Sequence, residues 1–170
     1  LALNKPPNII SSHNDQWKRK TIYDIVNMGE RKLFSLGRLD YESSGLIILT
    51  NDGDFANRII HPSKGILKEY FVKTDREIPG QLLIKFKNGL KINNVLYKAN
   101  SIKLIDKKTI IIYLNEGKKR EIREVFKFFK LPVKILRRTA IGNLKLNDLN
   151  LKEGEYKLFS ERELTHKIIK

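Results

Sequence analysis

The run Gly37-Arg38-Leu39-Asp40 sets one carboxylate beside one guanidinium, immediately before the apolar residues Leu46, Ile47, Ile48 and Leu49. Aspartate is a poor strand former, and it is costly to desolvate unless a cation or N–H donors hold it. Arg38 and the arginines further along the chain are candidate holders. Paired-acid chemistry, as in retaining glycosidases or two-metal nucleases, needs a second carboxylate close by. The nearest acids beyond the apolar run, Asp52 and Asp54, lie across a strand that spans about 17 Å if extended. With no cysteine in the chain and no elbow for a nucleophilic serine, a single aspartate nucleophile is the chemistry these residues permit. Taken alone, Asp40 reads more readily as a turn or capping acid than as a nucleophile.

The composition narrows the classes. A chain of 170 residues suits one domain, or two small subdomains sharing a sheet. The absence of cysteine removes disulfides and thiolate zinc sites, and His13, His61 and His166 lie far apart, so no structural metal is expected. No apolar segment approaches the ~20 residues of a membrane span, and no signal peptide is visible. A soluble, cytoplasmic protein is the expectation. The formal charge of +15 favours a polyanionic partner. Scattered surface lysines would explain part of it, so distribution has to carry the point. Residues 107–138 hold eleven basic side chains against Glu116, Glu121 and Glu124, which is more than half of the net charge.

The elements that must position these residues follow from pattern. Residues 1–5 read as a first strand stopped by Pro6-Pro7, with Asn8 suited to a turn. Residues 17–20 are a polar loop, and Thr21 caps a short helix reaching Asn27. Residues 46–50 form a strand buried on both faces. Asp54 caps a helix ending before Pro62, and residues 66–73 alternate as a strand with Lys68, Tyr70 and Val72 on one side. Pro79 and Gly89 bracket a helix. Strands follow over 95–99, 101–105 and 109–114. Residues 117–130 are predicted as the strongest helix, with Ile122, Val125, Phe126 and Phe129 on one stripe and Arg120, Arg123, Lys127 and Lys130 on another. A strand over 133–140 and a helix opened by the Ser160–Glu163 capping box complete the chain. The pattern is α/β with substantial antiparallel pairing.

Four ordered blocks together resemble the pseudouridine synthases that modify bacterial ribosomal RNA. They are Asn4-Lys5-Pro6, the segment from Gly37 to Gly53, Lys68-Glu69-Tyr70-Phe71-Val72, and Glu116-Gly117-Lys118-Lys119-Arg120-Glu121-Ile122-Arg123, followed by the strand end from Arg138 to Gly142. The resemblance covers residues 1–170 as one catalytic domain. It implies an α/β (α+β) fold of two subdomains sharing a mixed, mostly antiparallel central sheet flanked by helices, with the active-site cleft between them. The implied reaction detaches uracil from its ribose, rotates it and rejoins it through carbon, with no cofactor and no metal. Family routes through attack on the sugar, attack on the base, or an enol are all open at this point. Many members carry a small RNA-binding domain before the first strand, and an upstream domain missing from this chain is an expectation.

Carried over residue by residue, Asp40 is the nucleophile. Arg123 is the cation paired with it, which would favour its ionised form. Tyr70 stacks on the extruded base. Arg38, Lys5, Lys118, Arg120, Lys127 and Arg138 are the expected RNA-binding residues, with Arg38 filling the space left by the flipped base or holding a flanking phosphate. The sequence departs from the family at Glu121 and Glu124, where Gln and Arg are usual, and at Asn8, where Gly is common. The expected substrate is large-subunit ribosomal RNA, because residues 37–62 look closest to that branch, and the protein is expected to act as a monomer. The alternatives are a ribosome-associated RNA-binding module without catalysis and a metal-dependent nuclease.

Overall fold

A computed structural model describes residues 1–13, 15–26, 28–29 and 32–169. Its elements are β1 (Ala2–Lys5), α1 (Ile22–Ile25), β2 (Phe34–Ser35), β3 (Ser44–Thr50), α2 (Gly53–Ile60), β4 (Lys68–Thr74), α3 (Gly80–Asn88) and β5 (Leu90–Ile92). They continue with β6 (Val95–Tyr97), β7 (Ser101–Asp106), β8 (Thr109–Leu114), α4 (Glu121–Phe128), β9 (Val133–Ile141), β10 (Leu144–Lys145), β11 (Tyr156–Lys157) and α5 (Glu161–Ile169). The fold class is α/β, with a mixed sheet of nine strands flanked by helices. No helix among the described residues is long and apolar enough to cross a membrane. The chain divides into two compact units, the first made of residues Leu1–Ile66 and Arg138–Lys170, the second of Leu67–Arg137.

In unit one β11, β1 and β3 are neighbours in that order, with β2 on β3, and β10 pairs with the end of β9, which enters this unit at Arg138. β3 is buried from Ser44 to Leu49, as its apolar run requires of a strand with neighbours on both sides. Ala2, Leu46, Ile48, Phe55, Ile59, Leu164 and Ile168 form its core with the two helices. Asp52, not Asp54, caps α2: its Oδ1 accepts from Phe55 N at 2.9 Å, leaving Asp54 in the first turn where its charge favours the helix dipole. The predicted box at α5 is present, with Ser160 N donating to Glu163 Oε2 at 2.8 Å and Glu163 N to Ser160 Oγ at 3.3 Å. Thr21 caps α1 as expected. The predicted end of that helix, Asn27, lies outside the described residues. Gly142 is required where β9 turns to β10: its φ is +56°, and a Cβ there would stand 2.1 Å from the carbonyl oxygen of Ile168.

In unit two β4, β8 and β7 pair antiparallel, with Lys68 opposite Leu114, Tyr70 opposite Ile112 and Val72 opposite Ile110. β5 and β6 form a separate hairpin turned by Asn93 and Asn94, both at positive φ as a two-residue hairpin turn demands. The strongest predicted helix is shorter than residues 117–130. Arg120 adopts a left-handed φ of +53° and α4 starts only at Glu121, while Lys130 at +53° closes the other end.

Candidate active site

The turn that carries Asp40 is bonded from below by its own unit. Ser11 Oγ donates to Leu39 O at 2.8 Å and accepts from Leu39 N at 3.3 Å. Asn8 N donates to Tyr41 O at 2.7 Å, and Ser43 N donates to Asp40 O at 3.0 Å. Asn8 itself takes a φ of +60°, the left-handed conformation that asparagine tolerates in place of glycine. Leu39 is buried and Asp40 half-buried, so the side chain before the aspartate anchors the turn while the carboxylate keeps access to the surface.

Two cations expected to bind RNA are instead buried at this turn, and this corrects the sequence reading. Lys5 is 0% exposed, and its Nζ donates to the carbonyls of Ser43 at 2.6 Å, Pro6 at 3.0 Å and Tyr41 at 3.4 Å. A side chain so enclosed cannot reach a phosphate. It sits on the last residue of β1, where all four positions face other protein atoms. Burial pulls the Lys5 ammonium down from 10.5 to about 8, against the opposing attraction of Asp40 and with the repulsion of Arg138 adding to the fall. Arg138 is 3% exposed; its Nε donates to Leu46 O at 2.7 Å, and its Nη1 lies 3.7 Å from where a Cβ on Gly37 would stand. The structure therefore brings Lys5, Asp40 and Arg138 together in unit one. A buried charge held by carbonyls and a carboxylate fixes the backbone it grips, because moving away would leave it unpaired.

The other expected site residues are distributed differently. Arg38 is exposed on the approach to the turn. Tyr70 and Arg123 belong to unit two. Tyr70 is 8% exposed on β4, with Ile112 opposite it. Arg123 is half-buried in the first turn of α4, beside the buried Ile122. Arg120, before the helix, and Lys127 are exposed, and Lys127, four residues after Arg123 on α4, shares a side of the helix with it. Lys118 is exposed too, but its Nζ is paired with Glu116 at 3.0 Å and donates to Leu96 O at 2.9 Å.

Ser11 holds the Asp40 turn, and Glu121 holds the start of α4. Glu121 is 5% exposed; its Oε2 accepts from Lys118 N at 3.1 Å, joining the loop before α4 to the helix. Burial raises its carboxyl above the ordinary range, opposed by the Lys118 backbone bond. Ser11 sits in an ordinary-looking Ile-Ile-Ser-Ser stretch, and only the fold reveals that its hydroxyl holds Leu39.

A half-buried carboxylate on a backbone bonded at several points is suited to act as a nucleophile or base, since its geometry needs little reorganisation. Comparison with known proteins gives this arrangement a context. A family model described as RNA pseudouridylate synthase matches residues 1–128. An "uncharacterized RNA pseudouridine synthase" of Borreliella burgdorferi is 42% identical over 159 residues, covering 93% of this chain and 63% of the relative. One from Rickettsia bellii is 39% identical over 170 residues, covering 98% of this chain and 70% of the relative. A crystal structure of a pseudouridylate synthase superposes with a TM-score of 0.86 at 27% identity, covering 99% of this chain and 72% of that one. The chain thus spans roughly two thirds of the length of the relatives it matches.

Proposed function

The chain belongs to the RNA pseudouridylate synthase family, and on that premise we propose that it converts a uridine in ribosomal RNA, of the large subunit, to pseudouridine. The reaction balances without an outside reagent. The bond from the ribose carbon to the base nitrogen breaks, a bond from the same carbon to a base carbon forms, and the proton lost at that carbon is matched by one gained at the nitrogen. No oxidant, reductant or metal is needed for this accounting, so we read the enzyme as independent of cofactors.

Asp40 is the nucleophile in this reading. The observation that carries it is the Asp40 turn itself, which is gripped by the buried Lys5 through the carbonyls of Tyr41 and Ser43. Tyr70 offers a ring for the extruded base, a contact worth about 1–3 kcal/mol in single-strand binders. Extrusion costs a few kcal/mol, which Tyr70, Arg38 and the phosphate contacts of Arg120 and Lys127 offset. Arg123 supplies a cation for the charge that moves during the exchange. The enzyme acts as a monomer in the cytoplasm.

Mapping pseudouridines in ribosomal RNA from cells with and without the gene tests the reading. Loss of one large-subunit pseudouridine is the expected result. An unchanged map of both subunits would refute the ribosomal assignment, and loss confined to the small subunit would refute the choice of subunit.

A further inference from the structure

The loop over residues 15–20 of unit one carries the sole tryptophan of the chain, and nothing in the chemistry around Asp40 uses it. Trp17 is 67% exposed, an open position for so large an apolar ring. It is not loosely held. The Arg19 guanidinium lies 4.7 Å from the Trp17 ring centroid and 5.3 Å from that of Tyr41, so one planar cation backs two aromatic rings. Arg19 is itself fixed by Asp15, with Nε donating to Oδ2 at 3.0 Å and Nη2 to Oδ1 at 2.6 Å, a bidentate geometry that sets its plane.

This group is tied to the site. Tyr41 directly follows Asp40, so their Cα atoms are about 3.8 Å apart, and its carbonyl is held by Asn8 N at 2.7 Å and Lys5 Nζ at 3.4 Å. Lys18 and Lys20 are exposed on either side of Arg19. An open cavity of about 620 Å³, lined in part by His13, Gln16, Lys18 and Arg19, adjoins the group. The two carboxylates on its wall are engaged. Asp15 is bound to Arg19, and Asp24 accepts from Thr21 N at 2.7 Å and Thr21 Oγ1 at 2.9 Å. Beside this cavity the exposed ring of Trp17 stands in the same loop as the ammonium groups of Lys18 and Lys20.

We propose that Trp17, backed by Arg19 and Tyr41, is a stacking platform for an unpaired base that flanks the uridine presented to Asp40. This rests on the RNA-modifying function proposed above. A base fits because every base has a π-face and its phosphates suit Lys18 and Lys20. An apolar peptide fits poorly, because Gln16, Lys18 and Lys20 give the ring a polar, cationic rim rather than an apolar one. Prior fixing of Arg19 by Asp15 means that little side-chain freedom is lost on binding.

The test uses the whole chain carrying Asp40→Asn, so that RNA is bound without turnover, and a single-stranded uridine-containing oligoribonucleotide as the probe. Titration should quench the emission of Trp17 saturably, in step with the anisotropy of a labelled strand. Trp17→Ala should weaken binding about tenfold while leaving the salt slope unchanged, since a stacking ring releases no counterions. Trp17→Phe should restore most of the affinity. Because Trp17 is largely exposed, neither change touches the core. RNA binding with unaltered emission and a wild-type affinity for Trp17→Ala would overturn the platform, as would a complete absence of RNA binding. Quenching by RNA combined with no pseudouridine formation by the wild-type chain would sink the proposed reaction and leave the platform standing.

Discussion

Around Asp40 in unit one, Lys5 and Arg138 are 0% and 3% exposed, Lys5 Nζ donating to three backbone carbonyls and Arg138 Nε to that of Leu46, whereas Arg120 and Lys127 flanking Arg123 in unit two are exposed. The residue types are the same and the work is different. Taking a charge out of water costs several kcal/mol; the three carbonyls and the Asp40 charge offset part of that cost for Lys5, and the same bonds hold the turn. Exposed charges contribute only about 0–1 kcal/mol to stability. They are suited to long-range attraction of a polyanion. A net charge of +15 therefore mixes two populations, one buried at the Asp40 turn and one exposed to solvent.

The largest effect that would break this contrast is expected at Lys5. Lys5→Met keeps the length and removes the donors to Pro6, Tyr41 and Ser43, and should cost about 3 kcal/mol in denaturant unfolding with loss of activity. The pH dependence sharpens it. Lys5 is held near 8 in the folded chain, below its ordinary 10.5, so between those values the unfolded chain binds more protons. Below about 8 the folded chain carries the cost of burying the ammonium, and that cost is relieved as pH rises toward the ordinary value, so stability should rise with pH across the window. Lys5→Met should flatten that rise. An unchanged slope would show that Lys5 is not the titrating group.

Lys127→Ala should have a smaller effect on the fold, within about 0.5 kcal/mol, yet should weaken RNA binding and lower the salt slope by about one. A stability loss matching that of Lys5→Met would erase the distinction between the two populations. The smallest effect concerns Glu121, whose carboxyl burial pushes upward. The stability it contributes is present below the ordinary carboxylate range and lost as pH rises through the raised value. Glu121→Gln keeps an acceptor for Lys118 N without the charge, and should raise the melting temperature at pH 7 by about 2 °C. A fall would indicate that the charged form is needed by Lys118.

Much of the framework was legible where pattern and environment agree. β3 and β8 announce themselves as apolar runs, Pro79 and Gly89 bracket α3, and the Ser160–Glu163 box opens α5. What escaped was decided by tertiary contacts. Lys5 ends a strand that is buried throughout, and nothing local separates an inward ammonium from an outward one. Arg120 has good helical propensity, but its φ of +53° delays α4 while Glu121 reaches back to Lys118. The two-residue strands β10 and β11 are too short for any periodicity, and the Asn93-Asn94 turn joins strands of only three residues. Asp40 was singled out by position and its neighbours by motif. The use of Lys5 and Arg138 as supports rather than ligands required the fold.

The most direct test of the account is Asp40→Ala, assayed in parallel for pseudouridine formation and RNA binding. The account predicts no detectable product with RNA affinity within about threefold of wild type, because the exposed cations that dominate binding are untouched. Product formation by Asp40→Ala at the wild-type rate would contradict it. So would equal failure of wild type and variant to make product while both bind RNA, which would leave an RNA-binding module in place of an enzyme.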